Sequence, residues 1–127
     1  MLAPSSIKTI VPFLQKALAP FGGWLHFCGG GKHLLEPFLA LPEVKGVNFG
    51  NPEKYDWEKT LKQIVSAGKV YYGSVFRKES EPLAEYFRRV LAPLKKKGNL
   101  IFCPVLRETE SPAEAIATWY QIQSALF

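Results

Sequence analysis

The sequence predicts an α/β fold built from parallel βα repeats, and three observations carry that prediction. Four short apolar runs, Trp24–Cys28, Gly46–Phe49, Val70–Val75 and Leu100–Val105, have the length and two-sided hydrophobicity of strands in a buried parallel sheet. Segments with helical spacing and clear boundary signals lie between them, giving the order α-βα-βα-βα-βα. With 127 residues, 47% of them apolar, residues 1–127 form one domain large enough to bury a core. Strands that alternate with helices build right-handed βαβ units around a parallel sheet.

The first helix is expected over Val11–Ala19, with Pro12 in its first turn, where a missing N–H costs nothing, and Gly22-Gly23 stopping the chain beyond it. Ser5–Ile10 reads as a separate short helical turn before it. Lys32–Leu41 is the next helical stretch, closed by Pro42. Asp56 caps Trp57–Ala67, and Gly68 ends that helix. Pro82 opens a longer helix that runs to Lys97, with Gly98 after it. Ser111-Pro112-Ala113-Glu114 has the form of a capping box and starts a last helix that carries the chain to Phe127. Two architectures satisfy this order: an open doubly wound sheet, and half of a (β/α)₈ barrel. Gly29-Gly30-Gly31-Lys32, between the first strand and a helix, matches neither G-x-G-x-x-G nor G-x-x-x-x-G-K-[ST] and reads as a tight βα turn beside a site.

The net charge of +5 includes Lys95-Lys96-Lys97, placed at a predicted helix end where cations complement the macrodipole. No basic stripe interleaved with aromatics is present, so nucleic acid is not an expected partner. The segment after Met1 lacks the basic start and apolar core of a signal peptide. No apolar run approaches the ~20 residues of a membrane span, so no membrane is expected either. Two cysteines without a secretory signal point to reduced thiols in a cytoplasmic protein.

The chemistry concentrates at two strand ends. Side chains at i and i+2 of a strand share a face, so His26 and Cys28 point together while Phe27 points away. Cys103 ends the fourth apolar run in the same way. His26, Cys28 and Cys103 form a soft, zinc-competent set, and three protein ligands with an open fourth position suit a catalytic zinc. Geometry sets a condition on that set. Strands pack ~4.8 Å apart, so the first and fourth strands of a flat sheet lie about 14 Å apart. Bonds of ~2.0–2.3 Å to one metal then require the sheet to curl.

Three longer segments give these residues a context: Phe21-Gly22-Gly23-Trp24-Leu25-His26-Phe27-Cys28-Gly29, Gly46-Val47-Asn48-Phe49-Gly50-Asn51-Pro52-Glu53 and Gly98-Asn99-Leu100-Ile101-Phe102-Cys103-Pro104. With the closing Ser111-Pro112-Ala113-Glu114, they resemble, in order, the C-terminal half of the uroporphyrinogen decarboxylase superfamily. Within it, His-x-Cys followed by a distant Cys looks like the zinc motif of the corrinoid-dependent methyltransferases. The resemblance implies half of a (β/α)₈ TIM barrel, the last four βα units of a fold that typically needs about 250 residues. His26 and Cys28 would then end the fifth strand and Cys103 the eighth, at the barrel face where such enzymes keep their chemistry.

The same resemblance implies zinc, a thiol acceptor such as coenzyme M or homocysteine, and a methylcorrinoid donor, either free methylcobamide or carried on a corrinoid protein. Glu53 is the expected fourth metal ligand when substrate is absent, with Asn48 and Asn51 as supporting groups. Asn48, Tyr71 and Tyr72 are the expected substrate-binding residues, with Ser74 close by, although aromatics in a buried strand also serve as core. His33, at the start of a helix, reads as a surface or capping residue. Unpaired apolar edges at the first and last strands call for a partner: the missing N-terminal half, or a second copy in a two-fold homodimer. Two other functions stand beside methyl transfer. One is a non-catalytic or truncated half-barrel that docks on another chain. The other is a uroporphyrinogen decarboxylase-like lyase, for which Arg77, Arg88, Arg89 and Arg107 look too scattered in sequence to bind substrate carboxylates.

Overall fold

Alternation of apolar strands and amphipathic helices produces a single parallel sheet in the computed structural model, which describes residues 3–127. The elements are α1 (Pro4–Leu18), β1 (Gly23–Phe27), α2 (Lys32–Leu39), β2 (Val44–Phe49), α3 (Trp57–Ser66), β3 (Val70–Gly73), α4 (Leu83–Leu91), β4 (Leu100–Phe102) and α5 (Pro112–Leu126). A 3₁₀ turn, Pro52–Lys54, precedes α3. The strand order is β1-β2-β3-β4, every neighbouring pair parallel. Because the order never reverses, right-handed crossovers carry α2, α3 and α4 to the same face of the sheet. The strand-order reversal that marks a doubly wound sheet is absent among the described residues.

The core lies between the sheet and those helices. Phe27, Val47, Phe49 and Tyr71 of the sheet are buried against Leu34, Leu35 and Phe38 of α2, Leu61 and Ile64 of α3, and Phe87 and Val90 of α4. Phe27 stacks on both Phe38 and Phe49, and Trp119 of α5 packs on Phe87 and Phe102. The opposite face is bare: Trp24, Tyr72 and Ile101 remain 46%, 47% and 51% exposed. The strands are apolar on both faces, as read from sequence, but only one face is covered.

The extents of α1 and α4 and the cap of α5 differ from expectation. α1 is one continuous helix that passes through Pro12. Ile7 is buried and Val11, Leu14 and Leu18 pack on the core, and this helical stripe outweighs one lost backbone bond at an exposed position. α4 stops at Leu91 instead of Lys97, because Pro93 has no N–H with which to continue it. Lys95–Lys97 therefore lie in an exposed bend beyond the helix, and Arg88 and Arg89 occupy its last turn. Ser111 makes no side-chain cap bond, so α5 starts on Pro112 alone. Asp56 does cap α3, accepting from the Lys59 N–H at 3.0 Å. Among the described residues, no helix is long and apolar enough to cross a membrane.

Three of the four arginines, Arg77, Arg89 and Arg107, come together in space. Buried Arg77 donates to the Glu110 carboxylate at 2.6 and 2.7 Å, to the Val105 carbonyl at 2.9 Å and to the Glu81 carbonyl at 3.0 Å. Arg89 donates to the Glu81 carboxylate at 2.6 and 2.7 Å. Arg107 reaches the Glu79 and Glu81 carbonyls, and its N–H donates to Glu110 at 2.9 Å. This network ties the loop after β3 to the loop after β4, and so sets where the chain leaves the sheet at Cys103. The hydrogen bonds from Arg77, aided by the Arg107 N–H, hold the Glu110 carboxyl at about 2, against an ordinary 4.5. A depressed carboxyl stabilises the fold fully above its unfolded value, and that contribution is lost as pH falls through the folded one. Urea midpoints are therefore expected to fall between about pH 4.5 and pH 2 in the native chain and to change less over that window in Glu110→Gln. At neutral pH the same substitution should cost about 1–3 kcal/mol, and an unchanged midpoint would dismiss the network as a structural tie.

Candidate functional site

Strand alternation places His26 and Cys28 on the helix-free face, as expected, at the C-terminal end of β1. Their functional atoms meet: His26 Nε2 lies 3.0 Å from Cys28 Sγ. The register sets Asn48 of β2 opposite His26. Asn48 Oδ1 contacts His26 Nδ1, and Asn48 Nδ2 donates to the Tyr72 carbonyl on β3. One amide side chain thus joins three neighbouring strands across the bare face.

The loop after β2 adds a second feature. The Gly50 N–H donates to the Phe27 carbonyl at 2.7 Å, which holds Gly50 beside the His26–Cys28 pair. A Cβ at position 50 would lie 2.9 Å from Cys28 Sγ and 3.2 Å from His26 Nε2. Glycine therefore keeps open the space that both donor atoms face. Asn51 accepts from the Gly29 N–H at 2.8 Å and donates to Glu53 at 3.1 Å, joining the loops after β1 and β2.

The other expected site residues are distributed as follows. Cys103 directly follows β4, its N–H bonded to the Gly73 carbonyl at 3.0 Å. It shares the alternation of exposed Ile101 but sits three strands from β1. Both cysteines are free and exposed, unlike the usual buried free thiol. Glu53 is exposed and held by Asn51. Tyr72 faces the bare side, edge-on to Trp24 with ring centroids 6.0 Å apart. His33 stands in the first turn of α2.

Tyr71 is a correction. It lies on the helix-covered face, fully buried, its hydroxyl donating to the Ser74 carbonyl at 2.5 Å and its ring against Phe49 and Trp57. Burial pushes that hydroxyl's pKa up. It is a core residue out of reach of a ligand on the bare face, because adjacent strand residues point to opposite sides. Gly50 and Trp24 were not singled out from sequence. The register that brings position 50 to the His26–Cys28 pair is a long-range property that no local pattern carries.

These residues supply a two-donor half-site with clear space beside it, which fits part of a zinc centre. Among the described residues, no group of three His, Cys, Asp or Glu side chains comes together closely enough to hold a metal. Strand spacing is the reason: His26 and Cys28 lie at the end of one edge strand, and Cys103 follows the other. Exposure of both thiols has a direct consequence. Titration of the native chain with an aromatic disulfide reagent should modify both cysteines without denaturant, and a reading well below two equivalents would contradict the open face. Comparison of the chain with family models, curated proteins and solved structures finds no significant match.

Proposed function

We propose that the chain is one half of a zinc-dependent methyltransferase barrel that moves a methyl group from a methylcorrinoid to a thiol acceptor. The observation that carries this reading is the His26 Nε2–Cys28 Sγ pair, 3.0 Å apart at a strand end on the helix-free face, with Gly50 keeping clear the space beside both atoms. His26 and Cys28 would hold the metal, and Cys103, three strands away, would close on it as the sheet curls; Glu53 would fill the position that the acceptor takes over. When bound, zinc would lower the acceptor thiol's pKa and so supply thiolate at neutral pH. Cys28 and Cys103, as thiolates, would balance the dication and so leave electron density on the acceptor sulfur. Trp24 and Tyr72, edge-on to each other and half exposed, give the same face an apolar surface. The methyl donor arrives from outside the chain, free or on a corrinoid protein.

The lyase alternative is the weaker reading on one specific observation. Arg77, Arg89 and Arg107 converge, but their charge is spent on Glu81, Glu110 and backbone carbonyls, so they are not free to bind substrate carboxylates.

Half a barrel implies a complement, and counting helices indicates which. An eight-stranded ring has eight outer helix positions. α2, α3 and α4 lie between this chain's four strands, while α1 packs on α2 beyond β1 and α5 on α4 beyond β4. A second copy would therefore bring an α1 and an α5 to each seam, two helices for one position. The complement that fits carries four strands and three helices, which favours a missing N-terminal half over the homodimer.

Two experiments test these readings. Elemental analysis and zinc titration of the chain should give about one zinc, lost in Cys28→Ser and in Cys103→Ser. Gly50→Ala should weaken zinc binding by about ten- to a hundredfold while leaving thermal stability nearly unchanged. Protein that refuses zinc would make Cys28 and Cys103 ordinary exposed thiols and end the methyltransferase reading. Sedimentation at micromolar concentration should show no closed dimer, with β1 and β4 edge amides exchanging freely. A stable dimer with both edges protected would restore the two-copy barrel.

A further inference from the structure

The hydrogen bonds around Asn48 have only one self-consistent polarity. A peptide carbonyl can only accept, so the Asn48 atom facing the Tyr72 carbonyl must be the NH₂ group. The atom facing His26 is then the amide oxygen, which likewise only accepts. His26 Nδ1 must therefore carry the hydrogen. In a neutral imidazole the other nitrogen then carries none. His26 Nε2 thus presents a bare lone pair, and it is this atom that lies 3.0 Å from Cys28 Sγ, beside the space kept by Gly50. The assignment does not depend on which way the amide was placed, because the Tyr72 carbonyl alone dictates it.

Gly73 is matched to the same amide. It follows Tyr72 with φ +137°, a conformation that side-chain-bearing residues rarely adopt, and a Cβ there would collide with Asn48 Nδ2. The backbone of β3 is thereby shaped to receive the Asn48 NH₂ group.

We infer that Asn48 is a positioning residue that locks His26 as the Nδ1–H tautomer and aims the Nε2 lone pair at the Cys28 side of the open face. The role deepens the proposed zinc site, in which Nε2 is the ligand atom and so rests on that reading for its purpose; the tautomer itself holds without metal. Of the two roles expected for Asn48, support of the metal site and substrate binding, this is the first, with His26 as the group supported, the arrangement by which metal-binding imidazoles are commonly oriented.

The test is a long-range ¹H–¹⁵N correlation spectrum of the ¹⁵N-labelled, metal-free chain. The expected result is a protonated, pyrrole-type Nδ1 and an unprotonated, pyridine-type Nε2 for His26. In Asn48→Leu, which can neither donate nor accept, the two nitrogens should move toward averaged shifts, with far-UV circular dichroism reporting that the fold persists. Gly73→Ala, which displaces the amide, should do the same. A protonated Nε2 in the native chain, or an unmoved spectrum in a folded Asn48→Leu variant, would overturn the inference. Zinc titration of the same samples separates it from the metal reading. The Nδ1–H tautomer in a chain that refuses zinc would leave Asn48's role standing and remove the metal. Tight zinc binding with Nε2 protonated beforehand would do the reverse.

Discussion

A right-handed crossover repeated four strands long in one direction shapes everything else in this molecule. Each βα unit steps to the next strand without reversing, so the helices accumulate on one side of the sheet. One face becomes core, sealed by the aromatic cluster of Phe27, Phe38, Phe49 and Tyr71. The other face, and the outer edges of β1 and β4, have no covering element within the described residues. All the chemistry-bearing side chains of the strand ends, His26, Cys28, Asn48 and Cys103, belong to that uncovered side.

The bare face combines two kinds of surface with opposite demands. Trp24, Tyr72 and Ile101 are apolar and about half exposed, and burying roughly 100 Å² of each would contribute about 2.5 kcal/mol apiece at ~25 cal/mol per Å². His26 and Asn48 are polar, and burying either without a partner would cost about 1–3 kcal/mol. The hydrogen-bond relay from His26 through Asn48 to the Tyr72 carbonyl meets that demand in advance, and Nε2 is turned to Cys28 Sγ and the space beside it. A docking complement would gain the apolar contribution without stranding the polar groups. Away from the face, the Arg77–Glu110 and Arg89–Glu81 pairs do related work, fixing the loops after β3 and β4 with charges that are already neutralised.

Much of the fold was legible locally, and the failures have identifiable causes. The four strands fall within a few residues of the apolar runs, and the Asp56 cap forms as its sequence position implies. Pro12 misled because the rule against interior proline is local, whereas the Ile7–Val11–Leu14–Leu18 stripe earns its stability from tertiary packing. Tyr71 and Tyr72 are neighbours of one residue type, and only the pleat separates them into a core residue and an exposed one. The arginines looked dispersed because their partners, Glu81 and Glu110, are brought together by two loops far apart in the chain.

The sequence by itself determined the βα repeat, the face shared by His26 and Cys28 and the presence of a third soft donor at another strand end, because strand alternation and helix periodicity are written into residue spacing. Only the tertiary structure decided which residues stand across from one another. Parallel register sets Asn48 opposite His26 and the Gly50 N–H on Phe27, and strand order sets Cys103 three strands away. Those relations span segments that hydrogen-bond only after the helices between them have packed, so they are properties of the assembled sheet and not of any stretch of chain.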